Sequence, residues 1–497
     1  MSFSYGIDKM DISVIQLIAE DVSLGMLKDA TFQINKSQHH VGQMSKGKKA
    51  VYGVNTGFGP LCDTQIDPEG VSHLQSNLLK SHAVGVGEPI SDDLVRYMFI
   101  LKLHALAKGK SGVRLELLEK IHFFLTYNIL PIVPAQGSVG ASGDLAPLSH
   151  LFLPLLGIGK VRYGEQQLDS KALHNQLEIE PTTLAPKEGL ALINGTQFIA
   201  AHAIKGLIKM TYLLDLCDVV GAMSLEGLRG SASPFKKELH DLRPFDGCQE
   251  VAQRMRRLLA NSENLAAHEN CSRVQDPYSI RCMPQVHGAS RNAYQHLKSL
   301  TEIEMNSVTD NPIILSDTEA ISGGNFHGQP LAMALDYCTL AAAELGNISD
   351  RRSYLLLEGK YGLPRMLTEH QGVNSGYMIP QYTSAALVSE NKSLCYPASA
   401  DSIPTSLGQE DHVSMGSISG RKFVQVLDNL EKILAIELLL AAQAIEYRRP
   451  EKCSDILEEN HRLIRVKIPR LYKDRHIAPD IMTITEMVSN QELIVKI

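Results

Sequence analysis

One stretch carries residue types and spacing that permit unusual backbone chemistry: Gly137-Ser138-Val139-Gly140-Ala141-Ser142-Gly143-Asp144-Leu145-Ala146-Pro147-Leu148-Ser149. Gly143 has no Cβ, so its amide nitrogen can approach the Ala141 carbonyl in a turn closed to bulkier residues. Attack of that nitrogen on that carbonyl, with loss of two waters, would close a ring bearing an exocyclic methylene derived from Ser142. Such a ring is a strong electrophile made from the chain itself. Asp144 reads as the N-cap of a following helix with Pro147 in its first turn. The partly positive start of that helix would draw electrons from the ring. Read alone, the stretch also fits a flexible Gly/Ser loop. It does not fit a phosphate cradle, because its glycines fall as G-x-x-G-x-x-G, and Lys110-Ser111 has His104 where a P-loop requires glycine. Nor is Ser142 a nucleophile elbow, since the second glycine at the required offset is missing.

Further polar islands interrupt the apolar runs. Tyr52-Gly53-Val54-Asn55-Thr56-Gly57-Phe58-Gly59 is too glycine-rich for a helix and presents one phenol that its loop can place. Ser81-His82 falls in the last turn of a helix, where a histidine also serves as a cap or packed polar group. Asn194-Gly195-Thr196 precedes a long helix, a position at which asparagine is commonly a cap. Val274-Gln275-Asp276-Pro277-Tyr278-Ser279-Ile280-Arg281 reads as a turn presenting Gln275, Tyr278 and Arg281 together. Arginine suits a carboxylate because its planar fork gives two parallel charge-assisted hydrogen bonds; a surface ion pair is the alternative. Gly323-Gly324-Asn325-Phe326-His327-Gly328 enters another helix, and Gln409-Glu410-Asp411-His412 precedes the last long one, where acidic charge also suits the helix dipole. No metal site is expected: His268-Glu269 lacks the second histidine of a zincin.

These islands must be held by helices. Apolar residues at i, i+3, i+4 spacing predict helices over 74–84, two within 91–130 broken near Gly109 and Gly112, one from about 197 to Leu228, and others at 248–264, 286–306, 328–359, 378–394 and 414–447. Residues 157–188 read as an irregular excursion with a small hairpin, and residues 1–50 give no clear pattern. The 414–447 helix is apolar nearly all round through Leu427, Leu430, Ile433, Leu434, Ile436, Leu438, Leu439 and Leu440, so it is buried in a core or against other subunits. The fold class is mainly α: a long-helix bundle with a loop-rich N-terminal active-site region over 1–200 and a bundle and oligomerisation region over 201–497. The 195–210 segment is the best boundary, and no internal repeat is evident.

Composition narrows the class. The chain has 497 residues and a net charge of −7, leaving no basic face for nucleic acid. Its eight cysteines, at 62, 217, 248, 271, 282, 338, 395 and 453, form no C-x-x-C pair, which fits a reducing compartment. Charged residues at Asp8, Lys9 and Asp11 stand where a signal peptide would be apolar, and no apolar run reaches membrane-spanning length. A soluble, cytoplasmic protein is expected, with no nucleic acid or membrane partner.

The whole of Gly137–Ser149 resembles the self-processing loop of the aromatic amino acid ammonia-lyases, and from Tyr52 to the 414–447 helix the islands are similar to motifs of the histidine-specific branch. The resemblance implies a 4-methylidene-imidazol-5-one electrophile from Ala141, Ser142 and Gly143, with no dissociable cofactor. It implies that Asn194 hydrogen-bonds near the electrophile, that Arg281 binds the substrate carboxylate, and that Gln275 and Tyr278 line the site. Phe326 packs close to the electrophile, Glu410 lies near the substrate amine or imidazole, and Tyr52 is the leading base with Tyr278 the alternative. It further implies a fumarase/aspartase-like helical architecture and a homotetramer whose active sites are shared between subunits. Ser81-His82 and Gln409-Glu410-Asp411-His412 look like the form that takes L-histidine, since a polar site rejects analogues that leave it unpaired. Leu407-Gly408 and Tyr382 depart from the common pattern. Three rivals remain: a lyase or aminomutase of the same family acting on tyrosine or phenylalanine, a fumarase-type lyase, faintly suggested by Arg281-Cys282-Met283-Pro284 but lacking the Lys-x-Asn that should follow, and a non-catalytic helical scaffold.

Overall fold

The structure, a computed structural model, describes residues 2–47, 49–59, 64, 66–268 and 273–497. Cys62, Cys271 and Glu269 lie outside the described residues. Helices dominate, as the apolar spacing predicts. The chain divides into two compact units, Met1–Lys205 with Leu297–Asp336 and Pro397–Arg421, and Gly206–His296 with Tyr337–Tyr396 and Lys422–Ile497.

In the first unit, the Asp92–Ala107 helix starts with two acidic residues, which favour its positive end, and is buried from Leu94 almost without interruption to Ala107. Leu115–Thr126 follows, burying Leu117, Leu118, Ile121, Phe124 and Leu125 on one stripe. Every strand among the described residues lies in this unit. Lys160–Tyr163 and Gln166–Asp169 form the expected hairpin, extended by Leu130–Pro131. Val86–Pro89 pairs antiparallel with Pro134–Gln136 and so anchors the entry to the Gly137–Ser149 loop.

Residues 12–45 hold more regular structure than their pattern suggests. Ile12–Glu20 is a helix capped by Asp11, whose carboxylate accepts from Val14 N, and Thr31–Ser45 is a second. The latter buries only Ile34, Ser37, Val41 and Met44, a stripe too thin to read among its polar neighbours. Helices Asp455–Lys467 and Ala478–Ser489 also lie beyond the last one expected.

In the second unit, the eight apolar residues singled out from Leu427 to Leu440 are completely buried within this chain. Buried charge is handled by pairing. The Asp218 carboxylate takes His287 Nδ1 at 2.8 Å, Arg291 Nη2 at 2.6 Å and Arg254 Nε at 2.8 Å, and these contacts hold it ionised, below the usual carboxylate range, despite burial. Arg352 grips Glu437 through two hydrogen bonds of 2.5 and 2.9 Å, both side chains being wholly buried. No helix among the described residues is long and apolar enough to cross a membrane.

Candidate active site

Distant parts of the first unit converge on a cavity of about 890 Å³ whose lining includes Tyr52, His82, Ala141, Ser142, Asn194, Phe326 and Glu410. The Ala141-Ser142-Gly143 turn sits at its wall. Ser142 adopts a positive φ of 48° and Gly143 one of 78°. A Cβ on Gly143 would stand 2.1 Å from the Gly195 carbonyl oxygen, so only glycine fits. The two glycines form a parallel bridge. Asp144 N donates to Gly195 O at 2.7 Å, while Asn194 Nδ2 and Gly195 N donate to the Ser142 carbonyl at 2.6 and 3.4 Å. The Ser142 carbonyl thus faces two amide donors from one short segment, the arrangement that stabilises negative charge on an oxygen.

Asp144 corrects one expectation. It precedes the Leu145–Phe152 helix, but its side chain makes no capping bond there. Its carboxylate instead accepts from Ser138 Oγ at 3.0 Å and from Phe198 N and Ile199 N at 3.1 and 3.0 Å, capping the first turn of the Gln197–Leu228 helix. Burial pushes this carboxyl up to about 7, against the opposing pull of those three donors.

Around the loop, Glu410 Oε1 accepts from Ser142 Oγ at 2.7 Å and Oε2 accepts from Thr405 Oγ1 and Ser406 Oγ at 2.8 and 3.0 Å. Glu410 is therefore more than a charge before a helix. His82 ends the Pro68–His82 helix, with Nδ1 3.0 Å from Ser81 Oγ. Burial lowers its pKa, opposed by the Leu78 carbonyl and the charge of Glu410. The phenol oxygen of Tyr52 accepts from Gly59 N at 3.4 Å, and its ring meets Phe58 edge-on, which orients the phenol. Behind Phe326, His327 Nε2 donates to the His412 carbonyl at 3.2 Å and the two imidazoles stack, tying the 323–328 and 409–412 loops together.

Gln275, Tyr278 and Arg281 are not part of this lining. They belong to the second unit, where Gln275 and Arg281 line a separate cavity of about 1050 Å³ with Arg229, Lys236, Arg256 and Arg273. Arg281 lies over the Tyr278 ring, 4.6 Å from its centroid, and donates through Nε to Asp276 O. Of the three residues expected together, Tyr278 and Arg281 share a short Tyr278–Arg281 helix, and Gln275 joins Arg281, without Tyr278, in the lining of that cavity.

Sequence reading missed two participants. Asn311 lines the main cavity and fixes the 323–328 loop by accepting from Gly323 N at 2.8 Å. Lys102, buried in the Asp92–Ala107 helix, donates to Asn194 O at 2.6 Å; burial pushes its ammonium down to about 7, opposed by the charges of Asp310 and Asp144 and reinforced by Lys187. A lone lysine between Leu101 and Leu103 was the available signal. Among the described residues, no group of three or more His, Cys, Asp or Glu side chains is placed to hold a metal ion.

The chain matches the aromatic amino acid lyase family over residues 10–466. It is 44% identical over 483 residues to the histidine ammonia-lyase of Myxococcus xanthus, covering 97% of this chain and 95% of that one. Among solved structures, the histidine ammonia-lyase of Trypanosoma cruzi superposes with a TM-score of 0.90 at 40% identity, over 99% of this chain and 94% of that one. The tyrosine aminomutase of Streptomyces globisporus does so at 0.93 and 34%, over 99% and 97%. The family match over residues 10–466, the sequence likeness and the shared fold each extend over nearly the whole chain and agree: this protein belongs to the aromatic amino acid lyase family.

Proposed function

We infer that the chain eliminates ammonia from L-histidine to give trans-urocanate, using an electrophile formed from its own Ala141-Ser142-Gly143. The observation that carries this is the Ser142 carbonyl held by Asn194 Nδ2 and Gly195 N, beside a Gly143 that no other residue can replace. In ring closure, Gly143 N bonds to the Ala141 carbonyl carbon. The Ala141 oxygen leaves as water with the amide hydrogens of Gly143 and Ser142, and the Ser142 hydroxyl leaves as water with its Cα hydrogen. The residues present fit that product: two donors face the carbonyl that becomes part of the ring, and each is worth roughly 3 kcal/mol where charge develops on an oxygen. The finished methylidene-imidazolone supplies an electron-poor methylene that turns the substrate amine into a better leaving group.

The surrounding side chains take the remaining work. Tyr52, oriented by Gly59 and Phe58, removes the weakly acidic β-proton, with Tyr278 the alternative base. His82 and Glu410 both line the cavity, within electrostatic reach of each other, and suit an imidazole, which both donates and accepts. Phe326 packs beside the electrophile. Gln275, Tyr278 and Arg281 act in the cavity of a neighbouring copy, where Arg281 takes the substrate carboxylate. This requires a second copy, and fits a homotetramer of the kind the family resemblance implies, with 1–200 the N-terminal active-site region carrying the Ala141-Ser142-Gly143 loop and 201–497 the oligomerisation bundle, which also lends Asn311, Phe326 and Glu410 to the cavity. Exposed Met333, Tyr337 and Leu340, spaced along one stripe of the Gln329–Leu357 helix, support a partner-facing surface. We place the enzyme in the cytoplasm.

The test is an ultraviolet assay of purified protein with L-histidine, L-tyrosine and L-phenylalanine in parallel. Absorbance growing with histidine alone is expected. Growth with another amino acid would overturn the substrate assignment, and an intact mass equal to the sequence mass would overturn the electrophile.

A further inference from the structure

We propose that Lys102 is a positioning residue for the Ala141-Ser142-Gly143 loop: by gripping the Asn194 carbonyl it aims the Asn194 and Gly195 amides at the Ser142 carbonyl. The proposal rests on reading that loop as the source of the electrophile.

Lys102 stands in the middle of the Asp92–Ala107 helix, between buried Leu101 and Leu103, and is 1% exposed. A lysine in such a place carries a desolvation cost of several kcal/mol unless its ammonium is well held. Its acceptors are neutral oxygens, Asn194 O at 2.6 Å and Gln197 Oε1 at 3.4 Å. The nearby carboxylate of Asp310 is engaged by Lys187 Nζ at 2.6 Å and Ser111 Oγ at 2.8 Å. The ammonium is therefore committed to the Asn194 segment rather than to an ion pair of its own.

The backbone explains what this grip achieves. Asn194 is the C-cap of the Glu188–Ile193 helix, in extended conformation, and Gly195 follows at φ 139°. The helix does not set the direction of the Asn194–Gly195 peptide. That peptide is planar and trans, so its C=O and N–H point in opposite directions as one rigid unit. Holding the oxygen on Lys102 turns the Gly195 N–H towards Ser142 O, 3.4 Å away, and the same residue places Asn194 Nδ2 2.6 Å from that oxygen. A cation on the carbonyl also polarises the peptide and strengthens its N–H as a donor. Lys102 thus acts through Asn194 and Gly195, without touching the reacting atoms.

The experiment compares intact mass, kcat and KM for the native chain, Lys102→Met and Lys102→Arg. A native chain two waters lighter than its sequence is the precondition; a native chain at sequence mass removes the reading of the loop and the proposal with it. For Lys102→Met we expect incomplete dehydration, or complete dehydration with kcat lowered about tenfold at unchanged KM, in a chain whose circular dichroism is native. Complete dehydration with kcat within threefold of the native value would overturn the proposal while leaving the electrophile intact. Lys102→Arg keeps the charge and a donor, so it should dehydrate and turn over faster than Lys102→Met, a rescue that a merely structural lysine would not produce. Should Lys102→Met fail to fold, Lys102→Gln, a polar side chain too short to take over the grip on Asn194 O, replaces it: incomplete dehydration or a kcat about tenfold lower supports the role, and complete dehydration with kcat within threefold of the native value overturns it.

Discussion

The Ser142 hydroxyl donates to the Glu410 carboxylate over 2.7 Å, joining positions 268 residues apart. Thr405 and Ser406 hold the other carboxylate oxygen, so Glu410 is fixed before anything enters the cavity. His82 lies within the electrostatic reach of the same carboxylate. One acidic side chain therefore connects the loop that would form the electrophile to the histidine expected to choose the substrate, and its charge can be tested from both ends.

Glu410→Gln removes the charge but keeps an acceptor. Burial lowers the His82 pKa and the Glu410 charge opposes that effect, so loss of the charge should move the His82 titration to lower pH. Imidazole resonances followed by NMR across the acid range will show this; an unmoved titration would separate the two residues electrostatically.

Asn194→Ala deletes the stronger of the two donors to the Ser142 carbonyl. A fall in kcat of roughly 10²–10³-fold is expected, with KM little changed, because a donor of this kind acts mainly as charge develops. Steady-state kinetics with L-histidine will decide, and a rise in KM alone would assign Asn194 to substrate binding.

Gly143→Ala places a Cβ 2.1 Å from Gly195 O at a φ of 78°. The backbone strain costs on the order of 1–3 kcal/mol, and the collision adds to it. Mass spectrometry should find the sequence mass of the variant, and urea unfolding a lower midpoint. A variant lighter by two waters would show that the turn closes without a glycine.

Burial raises the Asp144 carboxyl from 3.8 to about 7. Between these values the folded chain holds a proton that the unfolded chain has released, so stability is greatest at the acid end of the window and falls as pH rises through it. Asp144→Asn should flatten that slope. Urea unfolding of both proteins at several pH values across the window measures it, and parallel slopes would contradict the assignment.

Arg352→Met strands the wholly buried Glu437 and should destabilise the second unit by about 3–5 kcal/mol. Adding Glu437→Met should restore most of the loss, because the pair is then replaced by apolar side chains. Thermal unfolding of the two variants tests this; equal losses would place the energy elsewhere.

The sequence by itself determined what depends on near neighbours. Helical spacing placed Met283–Met305, Gln329–Leu357, Met378–Leu394 and Gly416–Glu446 to within a few residues, and the Gly137–Ser149 string marked the tight turn at the wall of the main cavity. Tertiary structure alone decided which distant groups meet. It set Glu410 on Ser142, turned Asp144 away from its own helix to cap the Gln197–Leu228 helix, and directed Lys102 to Asn194. It also kept Gln275, Tyr278 and Arg281 off the lining of the main cavity. The reason is physical: spacing and capping report the few residues on either side of a position, whereas a buried polar group takes whichever partner the packed chain brings within about 3 Å. In sequence, Lys102 is one charge in an apolar helix and Asp144 a serviceable cap; packing chose their partners.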